Sequence, residues 1–99
     1  MRLSATQVEV IRQLARQVGG EGCRVRVFGS RIDDAARGGD LDLLLELPDP
    51  VGNPALVAAQ MSARVSRVMH GRKVDMLLSA PNLMRLPIHD IAFEEGVLL

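Results

Sequence analysis

The chain has 99 residues, which leaves room for one domain, residues 1–99. It is 47% apolar and 24% charged, a globular composition and not a disordered one. Twelve basic residues balance twelve acidic ones, so the chain carries no whole-molecule electrostatic footprint for duplex nucleic acid.

Phe28 and Phe93 are the only aromatic residues, too few to offer a row of rings on which single-stranded bases could stack. Cys23 is the single cysteine, which excludes an intrachain disulfide and a cysteine metal cluster. Of the basic residues eleven are Arg and one is Lys, a skew expected from codon usage alone. The first residues lead into a polar, helix-like segment without the apolar core of a signal peptide. No run approaches the roughly 18 apolar residues of a membrane span. A cytoplasmic protein that does not enter the membrane is therefore expected. A domain this small buries a limited core, so a partner or a second copy is a natural source of further stability.

Ser4 followed by Gln7 has the spacing of a capping box. Val8, Ile11, Leu14, Ala15 and Val18 then recur at helical period, and Gly19-Gly20 stops the helix. From Cys23 to Phe28, Cys23, Val25 and Val27 alternate with Arg24 and Arg26, which predicts a strand ended by Gly29-Ser30. Residues 31–39 are polar and read as a loop. Asp40 to Leu47 predicts a second strand, with Leu41, Leu43 and Leu45 on one face and Asp40, Asp42, Leu44 and Glu46 on the other.

Pro48 to Asn53 is a turn region. Asn53 and Pro54 suit the cap and first turn of a helix running to about His70, with a core stripe of Val57, Met61, Val65 and Val68. Gly71 is its expected stop. A third strand is predicted over Lys73–Leu78, with Val74, Met76 and Leu78 on one face and Asp75 and Leu77 on the other. Pro87 opens a last short helix carrying Ile88 and Ile91, closed by Gly96. The order α-β-β-α-β-α predicts an α/β (α+β) domain with one layer of helices over a small sheet.

The informative stretch is Gly29-Ser30, nine residues, then Asp40-Leu41-Asp42. A strand ending in Gly-Ser can turn backbone N–H groups toward an anion, and glycine lets a phosphate approach closely. Two carboxylates at i and i+2 on a strand share a face and can share hard cations such as magnesium. Asp75, on another strand, can face the same point. Three carboxylates beside a phosphate-binding loop suit two-metal phosphoryl transfer, with the ions roughly 3.5–4 Å apart. Positioning and charge neutralisation carry most of the rate in such reactions. Taken singly, Gly-Ser is a common turn and Asp-x-Asp a common exposed strand edge. Their order and their strand flanks make the pair specific.

These residues also carry a resemblance. Val27-Phe28-Gly29-Ser30-Arg31 followed by Gly39-Asp40-Leu41-Asp42-Leu43 resembles the signature of the DNA polymerase beta-type nucleotidyltransferase superfamily, and within it the minimal nucleotidyltransferases. Lys73-Val74-Asp75-Met76-Leu77 resembles the strand that brings the third carboxylate. Pro87-Ile88-His89-Asp90-Ile91-Ala92 and Gly96-Val97-Leu98-Leu99 resemble the family's ending, so the match spans nearly the whole chain and a complete protein is expected.

The resemblance implies a polymerase beta-like fold with a small mixed sheet, two magnesium ions on Asp40, Asp42 and Asp75, and ATP or another nucleoside triphosphate as donor. It implies Gly29, Ser30 and Arg31 as the nucleotide-binding turn. It also implies as partner a helical HEPN-domain protein, the toxin that such antitoxins adenylylate in HEPN/MNT toxin–antitoxin pairs. The chain departs from many of those antitoxins where they carry Ala-Arg-Gly: here Ile32-Asp33-Asp34 follow Arg31.

Singly weighed, Arg31 reads equally as a phosphate contact and as a solvated loop arginine. Asp33 and Asp34 read as turn caps. His70 reads as a helix C-terminal residue and Cys23 as a small core hydrophobe. Glu46 reads as a strand-end surface charge. His89 falls near the polar face of the last helix with no assigned role. A second apolar row on the long helix, Leu56, Ala59 and Ala63, reads either as surface positions filled by good helix formers or, the favoured reading, as a covered face and hence a partner or homo-oligomer. Two rival readings stand beside the transferase: a catalytically weak module that occludes a partner, and a small-molecule nucleotidyltransferase. The latter is weakened by the lack of chain left to build an acceptor pocket.

Overall fold

A computed structural model describes residues 3–29 and 40–99. The elements are α1 (Ala5–Gly19), β1 (Arg24–Phe28), β2 (Leu41–Glu46), α2 (Pro54–Val68), β3 (Val74–Ser79), α3 (Pro87–Glu95) and β4 (Val97–Leu98). They form a mixed α/β domain around one four-stranded sheet of order β3-β2-β1-β4. β1 runs antiparallel to β2 and β4, while β2 and β3 are parallel and joined through α2. No helix among the described residues is long and apolar enough to cross a membrane.

The helix signals act as read. Ser4 Oγ accepts from the Gln7 N–H (3.1 Å) and the Gln7 side chain accepts from the Ser4 N–H (2.9 Å). Asn53 Oδ1 accepts from the Leu56 N–H (3.1 Å), with Pro54 opening α2. α2 ends at Val68, two residues earlier than the sequence pattern suggests. His70 and Gly71 both take positive φ (59° and 84°), and the Gly71 N–H closes on the Ser66 carbonyl (2.8 Å). Two residues in the left-handed region cannot prolong a helix.

The main core forms where alternation placed it. Val25, Val27, Leu41, Leu43 and Leu45 meet Ile11 and Ala15 of α1 and Met61 and Val65 of α2, all essentially out of solvent. The expectation of one helical layer is corrected. α3 lies on the opposite sheet face, where Phe28 and Leu44 pack with Ala92, flanked by Leu77 and Phe93. Those three strand positions interrupt an otherwise polar face, and together they make an apolar seat for a nine-residue helix. The Phe93 ring also receives the guanidinium groups of Arg26 (5.2 Å) and Arg85 (4.7 Å).

Two readings of single residues change. Glu46 is half-buried instead of solvated, and its Oε2 has no hydrogen-bond partner among the described residues. His89 is 4% exposed. Its Nδ1 accepts the Leu86 N–H (2.9 Å), so the proton sits on Nε2, which donates to the Leu78 carbonyl (2.7 Å). His89 therefore ties the start of α3 to the end of β3. The last strand, β4, has no counterpart in the expected order.

Candidate active site

The site is built at the end of the sheet where β1 stops and β2 and β3 begin. Parallel pairing sets Leu41 opposite Val74 and Asp42 opposite Asp75. Asp42 and Asp75 therefore leave adjacent strands side by side on the α3 face. One pleat earlier, the Leu41 N–H donates to the Lys73 carbonyl (3.0 Å), which carries the same register back to Asp40 and Lys73. Period-two geometry places these two on the face of Asp42 and Asp75. The result is a two-by-two array of three carboxylates and one ammonium. Lys73 Nζ lies 3.9 Å from Asp40 Oδ2 and 3.8 Å from Asp75 Oδ1.

The strands are held in place from α2. Ser62 Oγ donates to the Val74 carbonyl (2.8 Å) and Ser66 Oγ donates to the Arg72 carbonyl (2.6 Å), so the backbone on either side of Lys73 is pinned. Gly29 closes the third side. Its φ is +72°, and a Cβ there would collide with the Asp42 carboxylate. Glycine is thus required both by the backbone conformation and by the closeness of Asp42.

Burial raises the Asp42 carboxyl above its ordinary pKa. The charges of Asp75 and Asp40 and a hydrogen bond shared with Asp75 raise it further, while Lys73 opposes them. These are the marks of crowded, under-compensated carboxylates: three acids against one base leave a formal charge of minus two. Asp42 and Asp75 line a cleft of about 530 Å³. Its other walls include Phe28 and Ile88 on the α3 side and Ala58 and Ala59 of α2. Ala59, read in the sequence as part of a second apolar row, thus faces this cleft, and its small side chain leaves the space open.

Among the described residues, no three His, Cys, Asp or Glu side chains close into a ready-made metal cage. The donor set nonetheless suits magnesium. Its members are hard oxygens, Asp42 and Asp75 are adjacent and mutually repelling, and magnesium takes few protein ligands and completes its shell from water and phosphates. Asp40, Asp42 and Asp75 fit the group that the motif implies.

Of the expected site residues, Gly29, Asp40, Asp42 and Asp75 are placed together. Ser30, Arg31, the turn caps Asp33 and Asp34, and the loop of residues 31–39 lie outside the described residues. Sequence reasoning passed over Lys73, Ser62 and Ser66. For Lys73 the signal was present: it is the only lysine in the chain, and it stands two residues before Asp75, the same spacing that joined Asp40 to Asp42. A scan against known family models finds no match to the chain, and a search of curated proteins finds no matching relative.

Proposed function

We propose that the domain is a minimal nucleotidyltransferase that moves a nucleotide, AMP from ATP or the equivalent from another nucleoside triphosphate, onto a hydroxyl of a partner protein, breaking the bond between the α- and β-phosphates and releasing pyrophosphate. The observation that supports this most strongly is the in-register pair Asp42 and Asp75, set against a positive-φ Gly29 at the end of β1. Asp40, Asp42 and Asp75 would hold two magnesium ions. When bound, these supply charge neutralisation for the triphosphate and a lowered pKa for the attacking hydroxyl.

The chain's own residues do the rest. Gly29 keeps the approach to Asp42 free of side-chain bulk, so a phosphate can come close. Ser62 and Ser66 fix the backbone that carries Lys73 and Asp75. Asp75 sits where a carboxylate can both share a cation with Asp42 and take a proton from an incoming hydroxyl. The cleft walls of Ala58, Ala59 and Ile88 give the carboxylates an apolar border and leave the cleft wide enough for a substrate group.

A partner as acceptor is supported by the surface. Leu56 on α2, Met84 before α3, Leu86, Ile88 and Ile91 at α3, and Leu98 of β4 are large apolar residues between 43% and 79% exposed. A helical HEPN-type protein in a cytoplasmic toxin–antitoxin pair is the partner we propose. The same surface favours the second reading, a module that occludes its partner with little turnover.

The test is to co-express the chain with its neighbouring gene product, incubate the pair with magnesium and each nucleoside triphosphate, and weigh the partner by mass spectrometry. Addition of nucleoside monophosphate in the wild type, absent in Asp42→Asn and Asp75→Asn, supports transfer. A tight complex with no mass added supports occlusion instead.

A further inference from the structure

The ammonium of Lys73 sits within the carboxylate array, 3.9 Å from Asp40 Oδ2 and 3.8 Å from Asp75 Oδ1. At those distances neither contact is a hydrogen bond, so the ammonium can leave without breaking one. Its side chain is 70% exposed and free to swing on a four-carbon stem, while the backbone beneath it is pinned on both sides by Ser62 and Ser66. Every other cation in the chain is an arginine. A guanidinium would offer a planar fork suited to clasping a carboxylate bidentately, whereas an ammonium is a compact point charge that holds more loosely.

We propose that Lys73 is a built-in counter-cation that occupies the carboxylate array until a metal–triphosphate complex displaces it. This inference rests on the nucleotidyltransferase reading given above. Free divalent metal must compete with a tethered positive charge for Asp40 and Asp75 and is disfavoured. A metal that arrives with a triphosphate brings negative phosphates that accept the released ammonium, so it pays no such penalty. Lys73 is in this sense a specificity-determining residue: it makes the site respond to the metal–nucleotide complex and not to the metal alone.

The test uses the full chain and Mn2+ as the probe, read by electron paramagnetic resonance without nucleotide. Each exposed ion pair of this kind is worth a factor of a few, and Lys73 makes two. Lys73→Gln is therefore expected to bind free Mn2+ about three- to tenfold more tightly than the wild type. Lys73→Arg, which keeps the charge and can clasp a carboxylate bidentately, is expected to bind free Mn2+ no more tightly than the wild type, and more weakly where the clasp forms. With a non-hydrolysable triphosphate present, the advantage of Lys73→Gln is expected to shrink toward nothing.

A second readout needs no metal. In EDTA, Lys73→Gln melts below the wild type, and adding Asp42→Asn to it recovers the loss. Mn2+ bound with equal affinity by wild type and Lys73→Gln would overturn the counter-cation role while leaving the metal reading intact. No saturable Mn2+ binding to either protein would overturn both. A gain in Lys73→Gln that persists unchanged with triphosphate would overturn the selection for the metal–nucleotide complex.

Discussion

Replacing Asp42 by Asn separates what the carboxylate does for the fold from what it does for the chemistry. Asp42 stands directly opposite Asp75 on the neighbouring strand. Like charges directly opposite each other on neighbouring strands are destabilising, and taking the strength of favourable cross-strand pairs as the scale the cost is on the order of 0.2–1 kcal/mol. In a domain of this size that corresponds to a rise of about 1–5 °C in melting temperature for Asp42→Asn in EDTA.

The sign follows from the raised pKa. Burial first, then Asp75 and Asp40, push the folded value of Asp42 above the unfolded one. Its contribution to stability is fully present below the unfolded value and is lost as pH rises through the folded value. The metal-free wild type therefore carries the penalty at neutral pH, and its gap to Asp42→Asn closes on acidification. Activity moves the other way. Groups that only support a metal ligand cost about 10–100-fold when removed, so loss of a ligand itself is expected to cost at least about a hundredfold in transfer.

The assay is paired: thermal melts in EDTA at neutral and mildly acidic pH, and nucleotide transfer with magnesium. A variant that melts lower than the wild type in EDTA would refute the repulsion. Undiminished transfer would refute the role of Asp42 as a ligand.

Two further outcomes follow from the same geometry. Gly29→Ala places a Cβ against the Asp42 carboxylate at a φ of +72°. We expect about 1–2 kcal/mol lost from stability, with transfer falling much further than the melt explains; normal transfer would mean that Gly29 does not border the site. His89→Ala strands the Leu86 N–H and the Leu78 carbonyl. An expected loss of about 2–3 kcal/mol should appear as a lower urea midpoint, and an unchanged midpoint would show that the tie between α3 and β3 is dispensable.

What could be read from the sequence was governed by periodicity. Alternation in residues 40–47 placed Asp40 and Asp42 on one face and Leu41, Leu43 and Leu45 on the other, and the structure shows that division. The same alternation could not say that β2 and β3 pair in parallel with Asp42 opposite Asp75, because register is a property of two segments and not of one.

The second layer was hidden for a similar reason. Phe28, Leu44 and Leu77 are single apolar positions on three different strands, and only their assembly makes a seat for α3. Glu46 was misread with them, since its place at the end of a strand says nothing of how far the folded chain covers it. β4 is two residues long and too short to alternate. His89 was the more avoidable omission: it stands three residues after Leu86 with Pro87 between them, the cap-to-N3 spacing by which Ser4 and Gln7 were recognised.

The most direct test of the central claim is anomalous diffraction from crystals grown with Mn2+ and a non-hydrolysable nucleoside triphosphate. Metal peaks held by Asp40, Asp42 and Asp75, with the triphosphate passing Gly29, are the predicted result. A triphosphate seated elsewhere on the domain, with no metal at these carboxylates, would contradict the account.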